Sequence, residues 1–535
     1  MPKKFCVLLI IATALGAALL RIPCLEQRPM HCDEAVHAQK FAVLLEKGQY
    51  VYDPDEYHGP TLNYCTLVPA WLTGARTYQE VTEFTLRIVP VFFGILLVLL
   101  LGFLISGLGC SGALIAAVIT AVSPALVYYS RYYIQETLLV CFTFGAIISG
   151  YRLSRRPHFG WAIMLGACLG LMHATKETCL IAYACLFTAL VILLFIRRRE
   201  GIPLAASLSR IKFRYVLVVI LAGGIFAELF LSSLLTNLQG IPDSFNTFLS
   251  YFNRAGKNPL HIHPWYFYLK LLLFSQFGDG PIWSEGIIFV LALVGVIAAL
   301  RKKSLPGVNH QLLRFLTFYT LLMILAYSVI PYKTPWCVLG FLHGLILLAG
   351  VGAATLLKCV PGFTLKSLVA VLLLVGLGHL AWQAYRASYT YSCDPRNPYV
   401  YAHTSADVYQ LSHKVNDLAD FYRAQYDQPL PVQVFFPDNY WPLPWYFRSL
   451  NLNVGYPVKV PEHGPLAPVI ISSAGVQDDL IKCIYDEQIP FQQREMYVSL
   501  FGDKYLQLRP QVEIRGFVKK SLWDKWQESK KDTTK

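Results

Sequence analysis

Long apolar runs separated by short polar intervals fill the first 385 residues. Eleven of them approach the ~20 mostly apolar residues that a membrane-crossing helix requires. They lie at 5–23, 88–106, 112–129, 133–150, 160–175, 178–196, 215–235, 284–300, 313–331, 336–357 and 367–385. From 386 onward the pattern changes to short stretches such as "PVQVFF" (431–436), "PVII" (468–471), "MYVSLFGDKYLQL" (496–508) and "VEIRGFV" (512–518), bounded by Pro, Asn and Gly. Alternation of this kind predicts strands, and the amphipathic run 405–424 predicts a helix beside them. The expected fold class is an α-helical polytopic membrane protein with about 11 transmembrane helices (1–385) and a small C-terminal α/β domain (386–535). At ~150 residues that domain can bury its own core. The segment "WYFYLKLLLFSQF" (265–277) reads as an interfacial or shallow re-entrant helix.

Composition supports the same class. Of 535 residues, 55% are hydrophobic and 15% charged, against ~25% charged in a typical soluble protein; mean hydropathy is +0.45. The net charge of +13 raises the question of a nucleic-acid partner, which the location of the charge answers. With the N-terminus on the cytoplasmic side, the inside segments hold 17 Lys and Arg against a single acid, Glu200. The outside is left nearly balanced. This is the positive-inside pattern, and no basic face with interleaved aromatics suggests nucleic acid. The first apolar run is too long for a cleaved signal peptide and reads as a signal anchor. The chain is expected in the plasma membrane, with loops 24–87 and 236–283 and the C-terminal domain outside. Cys24, Cys32, Cys65, Cys393 and Cys483 fall on that side, an odd count that predicts no obligatory disulfide framework.

Candidate chemistry gathers against the outer face. In "MHCDEAVHAQKF" (30–41), Asp33 and His37 are four residues apart and share a helix face. A carboxylate at a half-dehydrated interface can have its pKa raised toward that of a useful general base; a helix N-cap with a solvated acid pair is the structural alternative. A second cluster, "YVYDPDEYHGPTLNY" (50–64), supplies Asp55, Glu56 and His58 as acceptor-binding or orienting groups, or as plain turn residues. At three other outer span edges stand Arg131 ("SRYYIQE"), Lys176 with Glu177 ("ATKET") and Tyr332 with Lys333 ("PYKTPW"). Such cations can be snorkelling anchors, but facing an acidic loop they suit a phosphate-linked lipid. His31, Asp33, His37 and His58 could converge on a divalent metal, or be ordinary interfacial histidines. Glu228, inside a span, is either functional or paired with Arg131 or Lys176.

An Asp-Glu pair just after the first span, basic residues at later outer edges and an outer C-terminal domain resemble the GT-C membrane glycosyltransferases, the class of the protein O-mannosyltransferases and the aminoarabinose transferase of lipid A. More closely, "HCDEAVHA", "YDPDEYHGPTLNY", "ATKET", "YKTPW", "NPYVYAHTSADV" (397–408) and "YWPLPWYFR" (440–448) resemble the prokaryotic flippase activity-associated proteins. The resemblance implies a GT-C fold and transfer of a sugar, with inversion, from a polyprenyl-phosphate-linked donor to a hydroxyl on a protein, lipid or glycan acceptor at the outer face. It also implies Asp33 as catalytic base with Glu34 as its companion, and Arg131, Lys176, Lys333 and Tyr332 about the donor phosphate. No cofactor is required by this chemistry, and no nucleotide-binding loop is present in the sequence. A lipid-linked sugar flippase and a non-catalytic glycan-assembly protein are the competing classes. The apolar runs look mostly continuous and the polar groups cluster at one face, whereas transporters break their spans near the midplane.

Overall fold

The computed structural model describes residues 2–54, 58–203, 212–254, 261–301, 307–485 and 494–533. Its helices of ten or more residues are α1 (Lys3–Arg21), α2 (Cys32–Lys47), α3 (Thr61–Thr73), α4 (Glu83–Leu100), α5 (Cys110–Val122), α6 (Glu136–Arg155), α7 (Phe159–His173), α8 (Cys179–Arg199), α9 (Phe213–Leu231), α10 (Gly240–Arg254), α11 (Gly286–Leu300), α12 (His310–Val329), α13 (Leu339–Cys359), α14 (Phe363–Tyr385), α15 (Asp407–Tyr426) and α16 (Lys520–Thr533). All eleven apolar runs fall on helices. Eight described helices are long and apolar enough to cross a membrane, and α5, α7 and α11 are shorter apolar helices. The chain is a multi-pass membrane protein. Its outward faces carry apolar side chains that water would not tolerate in such number, including Leu8, Leu15 and Leu19 of α1 and Leu372, Leu374 and Val375 of α14.

Helix α13 is the axis of the bundle, buried along most of its length. In lipid no hydrophobic drive separates helix–helix from helix–lipid contact, so close backbone approach through small residues has to supply the packing. Here it does. A Cβ on Gly352 would lie 1.9 Å from the Leu291 carbonyl oxygen of α11, and one on Gly350 would lie 2.4 Å from the Gly112 carbonyl oxygen of α5. Helices α7 and α9 meet in the same way, with Gly166 and Gly170 against Val219 and Gly223.

The C-terminal segment forms a six-stranded mixed sheet in the order β2-β1-β3-β6-β4, with β5 also pairing β6. The strands are β1 (Leu430–Phe435), β2 (Leu452–Gly455), β3 (Val469–Ser473), β4 (Tyr497–Ser499), β5 (Leu506–Arg509) and β6 (Val512–Lys519). β1 runs parallel to β2 and β3, and β6 is antiparallel to β3, β4 and β5. Strand β2 alternates Leu452, Asn453, Val454 and Gly455, but at four residues it was too short to stand out among the stretches read as strands. Helix α15 buries Leu411, Val415 and Leu418. The segment 265–277 holds the short helix Phe267–Leu273, with Trp265 and Phe274 exposed beside it, as an interfacial element would be. All thirteen cysteines are unpaired.

The sheet domain closes on the loop after α1. The Met30 amide donates to the Tyr446 hydroxyl at 2.9 Å, Thr404 Oγ1 donates to the Met30 carbonyl at 2.7 Å, and Trp445 Nε1 donates to Glu83 Oε1 at 2.8 Å.

Overpacking a tight core contact costs roughly 1–3 kcal/mol. Gly352→Ala should therefore lower the melting temperature of the purified protein measurably. Gly378→Ala, where an added Cβ meets nothing within 4 Å, should leave it unchanged.

Candidate active site

His31 caps α2. Its Nδ1 accepts the Asp33 amide at 3.1 Å, while its own amide donates to Glu34 Oε2 at 3.0 Å, completing a capping box. This start fixes the two neighbouring carboxylates in opposite directions. Glu34 points inward and is completely buried. Arg87 meets both its oxygens at 2.8 Å, Arg28 donates at 3.1 Å and the Tyr133 amide at 2.9 Å. Arg87 also donates to the carbonyls of Leu25, Arg28 and Pro29, so this one pair folds the loop between α1 and α2. Burial alone would raise the Glu34 carboxyl, but the two guanidiniums outweigh it and hold it far below the ordinary carboxylate range.

Asp33 points the other way, with 43% of its side chain exposed. Burial would raise its pKa, but His31, His37, the Cys32 thiol and His58 outweigh that and lower it. The direction is opposite to the rise expected from a half-dehydrated carboxylate, because histidines surround it and the α2 N-terminus adds its own positive end. His37 lies one turn along. It is buried, 5.8 Å ring to ring from His58, with Nδ1 3.4 Å from Gln135 Nε2. Burial first, then His58, pushes it down to about 3, so it is neutral at physiological pH.

His58 reaches this place through a backbone contact. The Gly59 α-carbon packs so closely on the 174–175 turn that a Cβ would lie 2.2 Å from the Ala174 carbonyl oxygen, and the Thr61 amide donates to that same oxygen. His58 Nδ1 then sits 2.7 Å from Glu177 Oε2, and the Tyr52 hydroxyl donates to Glu177 Oε1 at 3.3 Å. The "HGPT" and "ATKET" motifs are thus two halves of one contact. Asp55 and Glu56 lie outside the described residues.

The cations separate into different environments. Arg131 is buried and donates to the carbonyls of Arg21, Pro23 and Cys24 and to the Tyr389 hydroxyl, at 2.6–3.2 Å. It closes the C-terminal end of α1, where a cation meets the negative end of the helix. Lys176 forms an ion pair with Glu136. Lys333 donates to the carbonyls of Ser328 and Ile330 at the end of α12, and no described carboxylate pairs with it. Tyr332, 40% exposed, forms a backbone bridge to Ile262 and packs its ring at a tilt against His261, 4.8 Å between centroids. The expected pairing of Glu228 with Arg131 or Lys176 does not form. Both cations are held elsewhere, and Glu228 Oε2 is buried with no partner among the described residues.

Compared with solved structures, ArnT from Cupriavidus metallidurans bound to undecaprenyl phosphate superposes with a TM-score of 0.58 at 14% identity, over 96% of this chain and 98% of that one. The chain has the GT-C fold. ArnT in the apo state gives the same TM-score at 12% identity, covering 95% and 97%. The Archaeoglobus fulgidus oligosaccharyltransferase tethered with an acceptor peptide gives 0.51 at 12% identity, over 81% of this chain and 62% of that one. The profile of the dolichyl-phosphate-mannose-protein mannosyltransferase family matches residues 62–238, 177 of the 535. No curated protein matches the chain by sequence. The resemblance carried by the motifs therefore holds at the level of the fold.

Within this GT-C fold, His261 stands near Asp33 with no sequence signal of its own. Lys333 and the adjoining Pro331 are tied to the segment that begins at His261: the Lys333 amide donates to the His261 carbonyl at 2.8 Å and the His263 amide to the Pro331 carbonyl at 3.1 Å. His261 feels the Asp33 charge, although burial dominates and lowers its pKa. Tyr401 joins both sides. Its hydroxyl lies 2.8 Å from His261 Nδ1, and its carbonyl lies 3.0 Å from His31 Nε2.

That last bond bears on a metal. His31, Cys32 and Asp33 offer ligand atoms within 4.8 Å of one another. However, His31 Nδ1 accepts from the Asp33 amide and Nε2 must donate to the Tyr401 carbonyl. Neither nitrogen keeps a lone pair for a cation. His31 does not fit a metal site in this arrangement, and no step below passes through one.

Breaking a buried ion pair from one side typically costs 3–5 kcal/mol, because the stranded charge stays behind. Glu34→Gln strands Arg87 and Arg28 and should lower thermal stability by a cost of that order, read by unfolding of the purified protein. A near-neutral result would show that the loop is held by something else.

Proposed function

We propose that this chain transfers a sugar from a polyprenyl-phosphate-linked donor to a hydroxyl acceptor at the non-cytoplasmic face of the plasma membrane, with inversion. The carrying observation is the division of the Asp33–Glu34 pair. One carboxylate is consumed by arginines, while its neighbour is left ionised and half-exposed, ringed by histidines. The GT-C fold, shared with an ArnT bound to undecaprenyl phosphate, supports a polyprenyl-phosphate-linked donor class.

In this reading Asp33 accepts the proton of the acceptor hydroxyl as its oxygen attacks the anomeric carbon. The bond from that carbon to the phosphate oxygen breaks, and its electron pair leaves on the phosphate. The leaving group is an anion that needs charge stabilisation rather than a general acid. Lys333, held by carbonyls and the Tyr268 ring with no described carboxylate against it, is the cation best placed in character for that phosphate, with Tyr332 beside it and Lys176 deeper against Glu136. Arg131 is left out of the donor site, since its guanidinium already closes α1. Glu34 positions Asp33 and does not touch substrate. His37 and His58 line the acceptor side, and the sheet domain from 386 onward stands outside the membrane over them.

A general base contributes typically 10²–10⁴-fold. Asp33→Asn should therefore lower kcat in a purified assay with a polyprenyl-phosphate-sugar by at least about 10²-fold, with the protein still folded. Product at the wild-type rate would overturn the assignment. Lipid-linked sugar crossing proteoliposomes at a rate indifferent to both Asp33→Asn and added acceptor would favour a flippase.

The lowered pKa of Asp33 sets the sign of the pH dependence. A base must be ionised, and a folded pKa below the ordinary ~3.9 keeps it so throughout the neutral range. The acid limb of kcat/KM due to Asp33 should therefore lie below pH ~3.9, and any limb between pH 5 and 8 should survive in an Asp33→Glu variant unshifted. A wild-type acid limb near pH 6 that moves with Asp33→Glu would show that the carboxylate is not held down.

A further inference from the structure

At the end of the bundle opposite Asp33 lies a second polar feature that glycosyl transfer does not use. The first residue of α1, Lys3, the last residue of α6, Arg155, and the end of α13, Lys358, converge on a cavity of about 580 Å³. Ser111 and Asn309 add polar groups to its wall, and Leu108 adds an apolar one. No Asp or Glu lines it, and none of the three cations forms an ion pair among the described residues. Lys3, Arg155 and Lys358 are all exposed to solvent, and such a concentration of one sign attracts an anion. At ~1.5 Å per residue, the 19 residues of α1 place this cavity roughly 28 Å from the Asp33 end. That is close to the ~30 Å thickness of a bilayer's hydrocarbon core.

We infer that this cavity binds the phosphate headgroup of an anionic phospholipid of the cytoplasmic leaflet. Arg155 suits bidentate contact with phosphate oxygens, and the two lysines supply point charges. Free phosphate shares that chemistry. A lipid is favoured because the cavity opens at the ends of membrane helices and Ile105, Leu108, Val308 and Val351 line it, giving the glycerol and acyl portion an apolar wall. The site is independent of the transferase reading.

The test is native mass spectrometry of the full chain with phosphatidylglycerol or phosphatidylcholine. The wild type should retain phosphatidylglycerol at least tenfold more tightly than phosphatidylcholine. The Arg155→Gln/Lys358→Gln double variant should fall to the phosphatidylcholine level, and Arg155→Lys/Lys358→Arg should keep the preference. Ser111→Phe narrows the cavity with every charge in place and should also lose it, which decides the matter if the double glutamine variant fails to fold. Undiminished phosphatidylglycerol retention in both Arg155→Gln/Lys358→Gln and Ser111→Phe would overturn the site. Inorganic phosphate displacing phosphatidylglycerol at equal concentration would overturn the lipid and assign the cavity to a soluble phosphate compound.

Discussion

A carboxylate without water keeps its charge only if cations and amide hydrogens replace the lost solvation. Glu34 is held in this way, and the Asp33 end of the molecule depends on it. Arg87 and Arg28 meet it from two sides, and the same Arg87 gathers the carbonyls of the loop between α1 and α2. Removing either partner leaves a buried charge unpaired, so the pair is more demanding than stabilising. What it supplies is direction. With Glu34 fixed, the first turn of α2 has a single orientation, and Asp33 is left half-exposed on the other side.

The surroundings of Asp33 are assembled from four separated parts of the chain. The 174–177 turn brings Glu177, which fixes His58; the Gly59 approach makes that contact possible. The 261–263 and 331–334 segments pin each other and bring His261 and Lys333. Tyr401, from the segment that leads into the sheet domain, bonds to His261 and His31. The sheet domain is therefore built into the walls of the candidate site, through Tyr446 and Thr404 on Met30 as well as Tyr401.

Much of this was legible in advance. Apolar runs near twenty residues long have one outlet in a membrane, so the eleven helices followed from periodicity and length. Asp33 and His37 stood out because a four-residue spacing puts them on one face. The motifs "HGPTLNY" and "ATKET" were visible, but their mutual contact was not, since it depends on a missing Cβ at Gly59 meeting a carbonyl more than a hundred residues away. Arg131 looked like a phosphate ligand because a cation at a span edge has the same appearance whether it faces a ligand or a helix end. Its four acceptors all come from α1, the segment just after it and Tyr389, none of which is near it in sequence.

The chain by itself determined the class, the placement of the eleven apolar runs on helices, most of the strands and the acidic pair. These follow from local periodicity and from the cost of placing peptide groups in lipid. The tertiary structure alone decided which of two adjacent carboxylates is clamped and which is free, which cations are already engaged, and which way Asp33 titrates. Those properties are set by the charges and carbonyls that distant segments bring within a few ångströms, and no local pattern encodes that distance.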